Sequence, residues 1–118
     1  MTKKFDKPNA QIIPEVHVPP QYRVLYDALL SAFDQAAFGK GRERHANEGP
    51  FQNQTILETA RAHGIGYQTG QAEKKLREVH TLLTLDNGPA RAKAEIKGAI
   101  IYAAAALIRL NELYPDEV

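Results

Sequence analysis

Apolar residues recur at spacings of three and four along much of the chain, a pattern that indicates amphipathic helices. In the first such segment they are Tyr22, Leu25, Tyr26, Leu29, Phe33 and Ala37. Pro20 suits the first position of this helix, because the N–H that proline lacks would be unpaired there. Helices are predicted over 20–38, 55–63, 70–85 and 90–113, so the fold class is all-α, a helical bundle of about four helices.

Short polar signals set the ends of the second and third helices. Thr55 and Glu58 have the spacing of a capping box, in which each side chain accepts a hydrogen bond from the other residue's backbone N–H. Gly64 is expected to end the second helix, since glycine is the commonest residue just past a helix. Thr69 is then expected to cap the third helix.

The third helix carries an apolar stripe that is expected to face the core. The stripe consists of Ala72, Leu76, Val79 and Leu83. Polar residues are assigned largely to the opposite side, namely Gln71, Lys74, Lys75 and Glu78. The sequence Asp86-Asn87-Gly88-Pro89 follows, and these residue types strongly favour a turn before the fourth helix.

The fourth helix is apolar on every side at its centre, from Gly98 to Arg109. A helix of this kind must be covered on every side, which is hard to arrange in one small helical domain. We therefore expect a homo-oligomer that forms through residues 98–110. Gly98 and the alanines at 103–106 would allow close helix approach. The alternative is a helix that forms the centre of a monomeric core.

Composition limits the classes of function. The chain has 118 residues, and its 15 Lys and Arg against 14 Asp and Glu give a net charge of +1. This balance makes no electrostatic case for a nucleic-acid or membrane binder, and the absence of cysteine excludes disulfides and thiolate metal sites. Prolines in residues 1–19 predict an extended arm before a single helical domain at 20–118. No segment resembles a signal peptide or a membrane span, so a cytoplasmic location is expected.

A segment without helical periodicity, residues 38–54, lies between the first two helices and is rich in basic and amide side chains. Its candidate ligand-binding residues are Lys40, Arg42, Arg44, His45 and Gln54. Guanidinium groups bind phosphate oxygens bidentately, and glycines let backbone N–H groups approach an anion. These properties predict an anion-binding loop. The alternative is a solvated loop whose charges pair with Glu43 and Glu48.

A second candidate binding site is the glycine-rich segment 64–70, which runs into the third helix. The N-terminus of a helix presents unpaired N–H groups and a partial positive charge, both of which attract anions. Tyr67 is suited to stack on a nucleobase, Gln68 and Gln71 are suited to read its polar edge, and Lys74 adds positive charge. The alternative is a turn followed by the solvated face of an amphipathic helix.

Residues 71–113 contain KKLREV in one helix and AEIKGAIIYAAAALIRLNEL in the next. This pair resembles the all-α nucleoside triphosphate pyrophosphatases, the MazG-like superfamily, including its small phage-encoded members. The resemblance implies a helical oligomer with a nucleotide-sized pocket, in which E-x-x-E on one helix and E-x-x-D on the next hold Mg²⁺ against the phosphates. The acids that would correspond are Glu73, Glu78 and Glu95, but none has an acidic residue three positions on, so the metal motif is degenerate.

Three functions are compatible with these observations. The first is non-catalytic binding of a phosphorylated small molecule, a nucleotide or nucleotide-derived signal, by a helical oligomer without catalytic residues or cofactor. A phage-encoded sequestering protein fits this description. The first alternative is a Mg²⁺-dependent nucleoside triphosphate pyrophosphohydrolase that uses Glu73, Glu78 and Glu95 as metal ligands. The second alternative is an interaction module for proteins or nucleic acids, although a net charge of +1 argues against nucleic acid.

Overall fold

The computed structural model describes residues 17–39 and 49–118, and these residues form helices and turns without a strand. The α-helices are α1 (Arg23–Phe38), α2 (Thr55–His63), α3 (Gly66–Leu82) and α4 (Gly88–Leu113). Short 3-10 helices precede α1 and α2, at Pro20–Tyr22 and Phe51–Asn53. The predicted all-α fold is confirmed. Within the described residues no helix has both the length and the apolar character that a membrane span requires.

Helix α4 is the centre of the packing, and the other three helices all contact it. Helices α3 and α4 form an antiparallel hairpin, in which Lys75 lies level with Glu95. Helix α2 packs against both members of the hairpin and joins its core. The core cluster comprises Ile56, Leu57, Tyr102 and Ala105. Because most buried positions of α4 are alanines, the neighbouring helices can approach its backbone closely.

A turn separates α3 from α4 as predicted, but it covers residues 83–87, and Gly88 and Pro89 already belong to α4. Gly88 is sterically required. The N–H of Gly88 donates to the carbonyl of Leu85 at 3.0 Å. A Cβ atom on Gly88 would lie 1.5 Å from the carbonyl oxygen of Leu82, so a larger residue would force the backbone to move. Pro89 stands in the first turn of α4, where the helix needs no N–H from it. Both α3 and α4 have their boundaries at this turn earlier than predicted, at 82 and 88.

Helix α2 has the predicted bounds, but its predicted capping box is wrong. The N-cap is Gln54 rather than Thr55, and no described side chain caps this end. Thr55 is already helical, and the N–H groups of Leu57 and Glu58 both donate to the carbonyl of Gln54, at 3.0 Å each. At the other end Gly64 has a φ of +87°, a conformation that favours glycine and ends the helix as predicted.

Helix α3 begins at Gly66, before the predicted start at residue 70, so the assignment of Thr69 as its cap is wrong. The N–H of Thr69 donates to the carbonyl of Ile65 at 2.9 Å, an ordinary bond of a first helical turn. The hydroxyl of Thr69 donates back to the carbonyl of Gly66 at 3.4 Å instead of accepting from an N–H. Because the backbone already has helical geometry at Ile65, the neighbouring glycines do not delay the helix.

The face of α3 that meets α4 differs from the predicted stripe. The buried and half-buried residues on it are Gln68, Ala72, Lys75, Val79 and Leu82. Leu76 and Leu83, which belong to the predicted stripe, are instead 50% and 52% exposed. The side chain of Lys75, which was assigned to the solvated side, is only 17% exposed. A glutamine and a lysine thus lie in the interior, while two leucines that the apolar pattern assigned to the interior are exposed.

Helix α1 ends where predicted, at Phe38, but most of its apolar face is not buried. Among the described residues of this helix only Ala32 is buried. The side-chain amide of Gln35 donates to the carbonyl of Ala94 on α4 at 3.1 Å. Several large apolar side chains of α1 are about half exposed or more: Val24, Leu25, Leu29 and Phe33. The regular apolar spacing of α1 therefore marks a surface that no described residue covers.

A network of ion pairs joins α2 to the end of α4. The guanidinium of Arg61 donates to both carboxylate oxygens of Glu112, at 3.1 and 2.6 Å, and to the carbonyl of Gln52 at 2.7 Å. Arg109 donates to the same carboxylate at 3.2 Å. The hydrogen bond from Arg61 holds the pKa of Glu112 below its ordinary value, because it stabilises the carboxylate. The same hydrogen bond raises the pKa of Arg61.

Candidate functional site

Three of the predicted ligand-binding residues share one face of α3. Tyr67, Gln71 and Lys74 follow one another at spacings of four and three, which places them in line along the helix. Tyr67 and Gln71 are half-buried, whereas Lys74 is exposed. This face therefore presents an aromatic ring, an amide and a cation in succession. These are groups suited to a nucleobase and a phosphate.

The ring of Tyr67 is partly engaged in core packing. It contacts Tyr102 of α4 edge-on, with the ring centroids 5.9 Å apart and the planes at 75°. This edge-to-face arrangement is favoured between aromatic side chains. Tyr67 also packs against the core cluster that contains Leu57. A base could therefore stack only on the part of the ring that faces solvent.

Lys74 lines a shallow depression of about 300 Å³ on the outer side of α3. The other lining residues are Gly70, Glu73, Arg77 and Glu78. Arg77 donates to the carboxylate of Glu73 at 2.6 Å, so these two charges neutralise each other. Lys74 forms no ion pair with any described residue, and its charge is therefore available to an anion.

The neighbouring Lys75 points inwards and has a structural role. Its Nζ lies 3.3 Å from a carboxylate oxygen of Glu95 and 5.8 Å from the centroid of the Tyr102 ring. Its aliphatic stem passes Gly98, where a Cβ atom would lie 3.1 Å from Cδ of Lys75. The close approach that Gly98 permits thus occurs within the chain, between α3 and α4.

Gln68 is fully buried between α3 and α2. Its Nε2 donates to the carbonyl of Ile56 at 2.5 Å, while its Oε1 has no hydrogen-bond partner among the described residues. A buried acceptor without a partner is uncommon and costs stability. Gln68 precedes Lys75 by seven residues on the inner face of α3. The sequence analysis assigned Gln68 to the polar edge of a base and Lys75 to the solvated side, so it missed the interior position of both residues.

Gln54 has a structural role at the edge of the basic segment. Its Nε2 donates to the carbonyl of Gly49 at 3.0 Å, and its own carbonyl accepts the first N–H groups of α2. The side chain thus holds the end of the segment against the start of α2. The other predicted ligand-binding residues of this segment lie outside the described residues: Lys40, Arg42, Arg44 and His45.

The carboxylates that the family resemblance would assign to Mg²⁺ do not form a group. Glu95 pairs with Lys75 and Glu73 with Arg77, while Glu78 is exposed. Within 17–39 and 49–118, no three acidic, histidine or cysteine side chains are close enough together to hold a metal ion. Because Mg²⁺ prefers several oxygen ligands, this set of donors does not fit the metal that the resemblance implies.

An apolar groove of about 540 Å³ runs between α3 and α4, on the other side of Glu73 and Arg77. Besides these two residues, its lining consists of Thr69, Ala72, Leu76, His80 and Ala103. Its aliphatic and small side chains favour an apolar occupant over a phosphate. The groove and the depression at Lys74 are therefore two chemically different sites that share one border.

No protein-family model matches the sequence, and no curated protein or solved structure matches it. The resemblance of residues 71–113 to the MazG-like superfamily therefore depends on the helical motifs quoted above.

Proposed function

We propose that this protein binds a phosphorylated small molecule, such as a nucleotide, without hydrolysing it, and that it does so as a homo-oligomer. The observation that carries the proposal is the alignment of Tyr67, Gln71 and Lys74 on one face of α3. At 1.5 Å per residue these side chains span about 10 Å along the helix. That length suits a ligand with a base at Tyr67 and a phosphate at Lys74.

Two glycines beside this face support a ligand that lies against the helix. Gly66 and Gly70 are four residues apart on α3, and a Cβ atom at either position would meet nothing within 4 Å. Glycine inside a helix costs on the order of 1 kcal/mol relative to alanine, and packing requires it at neither position. An exposed backbone at Gly70 gives a ligand close access to the helix surface.

The basic segment supplies further positive charge in this proposal. Lys40, Arg42 and Arg44 neutralise phosphate oxygens, and His45 donates a hydrogen bond. The anchoring bond from Gln54 to Gly49, 3.0 Å long, keeps one end of this segment beside α2. Helix α2 in turn packs against α3, the helix that carries Tyr67 and Gln71.

The pairing of the acidic residues supports binding over hydrolysis. A pyrophosphohydrolase of the suggested type needs carboxylates that can offset the charge of Mg²⁺. Glu95 and Glu73 each lie next to a cation of the same chain, at 3.3 and 2.6 Å. The hydrolase is therefore the weaker of the two nucleotide hypotheses.

The first experiment is a retention assay with the full chain. The protein is incubated with nucleoside triphosphates, cyclic dinucleotides and ADP-ribose derivatives, with and without Mg²⁺, and then filtered and chromatographed. Heating the retained protein should release an unchanged compound. A monophosphate product that forms only with Mg²⁺ would identify the hydrolase instead. If no compound is depleted, the proposal is wrong.

The residues are tested by charge removal. Lys74→Ala should lower the affinity about tenfold, since loss of a charge-assisted hydrogen bond to phosphate is of that order. Lys93→Ala is the matched control, because Lys93 is an exposed lysine on α4 that does not line the depression. Joint replacement of Arg42 and Arg44 by alanine should abolish retention, with the helical circular dichroism spectrum unchanged. Equal affinities for the Lys74 and Lys93 variants would mean that this face of α3 does not bind the ligand.

A second candidate is an interaction module for proteins, and the exposed side of α1 favours it. Val24, Leu25 and Phe33 are each more than half exposed, and such patches mark protein interaction sites. Titration of a fluorescently labelled DNA at several salt concentrations tests the nucleic-acid version. A steep salt dependence would support that version, whereas the net charge of +1 leads us to expect no binding.

A further inference from the structure

One apolar face of the α3–α4 hairpin is not covered by any described residue. On α4 its residues are Ile96, Ile100, Ala103, Leu107 and Leu110, at spacings of four and three. Ile96, Leu107 and Leu110 are 40%, 59% and 37% exposed. Alternating spacings of four and three are those of a coiled-coil seam, in which each apolar side chain packs against another helix.

Helix α3 contributes a second stripe to the same face. Ala72, Leu76 and Leu83 lie at spacings of four and seven, and the two leucines are 50% and 52% exposed. Ala72 and Leu76 line the 540 Å³ groove together with Ala103 of α4. The stripes on α3 and α4 therefore border one continuous groove. We call this surface the hairpin face.

We infer that a second copy of this chain covers the hairpin face, so that two α3–α4 hairpins pack into a four-helix bundle. The shape of the face favours this occupant. Leucines stand on both sides of a groove that is lined by Ala72 and Ala103, so the leucines of one copy can enter the groove of the other. Each copy thus provides both the knobs and the holes of the packing.

The charge at the border of the hairpin face also suits contact between identical surfaces. Glu73 and Arg77 form an ion pair at 2.6 Å along this border, so their charges cancel within each copy. The leucine and alanine positions of the face carry no charge. In a two-fold symmetric dimer each residue occurs twice, and a face with net charge would repel itself. Charge repulsion therefore does not oppose contact between two hairpin faces.

The size of the hairpin face is adequate for a dimer. The 17 residues of α3 correspond to a length of about 25 Å, and two adjacent helices are about 20 Å wide. Their flat area is on the order of 500 Å², and the accessible area of a ridged surface is larger. A standard interface buries about 800 Å² per partner. The hairpin face alone can therefore supply most of such an interface.

This inference rests on the homo-oligomer of the proposed function and specifies its interface. Residues 98–110 supply only part of the interface, through Ile100, Ala103, Leu107 and Leu110, while Ile96 and α3 supply the rest. Glu73 and Arg77 line both the groove and the depression that contains Lys74. The second copy therefore lies beside the proposed ligand site.

The test is the molar mass of the full chain, measured by light scattering on a size-exclusion column. Wild type should have twice the chain mass of 13.1 kDa. Leu76→Glu and Leu107→Glu should each raise the dimer dissociation constant at least about a hundredfold, because each places two unpaired carboxylates in an apolar interface. Leu76→Ala, which introduces no charge, should weaken the dimer by a smaller factor. It also keeps the test valid if the glutamate variants do not fold.

The matched control is Leu29→Glu on α1, since Leu29 is 48% exposed and Leu76 is 50% exposed. This variant should stay dimeric. A monomeric wild type overturns the inference, and so does a dimer that Leu29→Glu dissociates while Leu76→Glu does not. The retention assay separates ligand binding from assembly, because a monomer that retains a ligand contradicts the dimer and the homo-oligomer but not the ligand binding. A dimer that retains no ligand contradicts only the ligand binding.

Discussion

Helices α1 and α2 both pack against α4, but they are attached to it in different ways. Helix α2 has 9 residues and buries three of them, among them Leu57. Helix α1 has 16 residues, of which only Ala32 is buried. The longer helix, with the more regular apolar spacing, is therefore the less buried of the two. Apolar periodicity identifies a face that can be buried, but it does not identify the surface that buries it.

Polar contacts increase the difference between the two helices. Arg61 of α2 holds the carboxylate of Glu112 with two hydrogen bonds, the shorter 2.6 Å long. From α1, the side-chain amide of Gln35 donates to the carbonyl of Ala94 of α4 at 3.1 Å. We conclude that α2 contributes buried side chains to the core that it shares with α3 and α4, whereas α1 packs on α4 with most of its apolar face exposed.

The largest expected effect is that of Leu57→Ala in α2. Leu57 is fully buried in the core cluster with Ile56, Tyr102 and Ala105. Removal of its side chain should lower the free energy of unfolding by about 2–5 kcal/mol, because apolar contacts are lost and a cavity remains. The measurement is urea unfolding followed by circular dichroism. It should be repeated at several protein concentrations, since the apparent stability of a dimer depends on concentration.

A loss of less than about 1 kcal/mol for Leu57→Ala would contradict this assignment, because a typical leucine-sized cavity costs more. In that case α2 would not be the stable attachment that its burial indicates. The distinction between α1 and α2 would then have no energetic basis.

A smaller effect is expected at the ion pair between α2 and α4. The folded-state pKa of Glu112 is lowered by Arg61, so the carboxylate contributes stability above the pKa that it has in the unfolded chain. That contribution should be lost as the pH falls through the folded-state pKa. Glu112→Gln should therefore lower Tm near pH 7, and the difference from wild type should shrink below about pH 4. Thermal unfolding of both proteins across this pH range is the measurement.

The control for this experiment is Glu73→Gln, which removes an ion pair to Arg77 within one helix. Its effect on Tm near pH 7 should be smaller than that of Glu112→Gln, because no second helix is held by that pair. A Tm difference for Glu112→Gln that stays constant down to the lowest pH would mean that the carboxylate is not the stabilising form.

Part of the fold could be predicted from the sequence because the signals are local. Gly39 and Gly64 follow the last residues of α1 and α2, and both ends are as predicted. The start of α3 could not be predicted, since Gly66 and Gly70 disfavour a helix. Tertiary contacts outweigh this local preference. One of them is the hydrogen bond from the side chain of Gln68 to the carbonyl of Ile56 on α2.

One part of the candidate site could likewise be predicted from the sequence, and another part could not. The common face of Tyr67, Gln71 and Lys74 follows from their spacing once the helix is known. The burial of Lys75 could not be predicted, because the sequence does not show that Glu95 and Gly98 lie opposite it. A lysine becomes an interior residue here through partners that are distant along the chain, and apolar periodicity contains no information about such partners.

The smallest expected effect is that of Leu29→Ala in α1, the same substitution as Leu57→Ala at a site that is 48% exposed. The change in the free energy of unfolding should be within about 0.5 kcal/mol, as for most surface substitutions. Alanine's higher helix propensity offsets part of the lost packing. A loss of about 2 kcal/mol or more would mean that the apolar side of α1 is covered in solution. Because both variants remove the same atoms, the difference between their unfolding free energies measures how unequally α1 and α2 are packed.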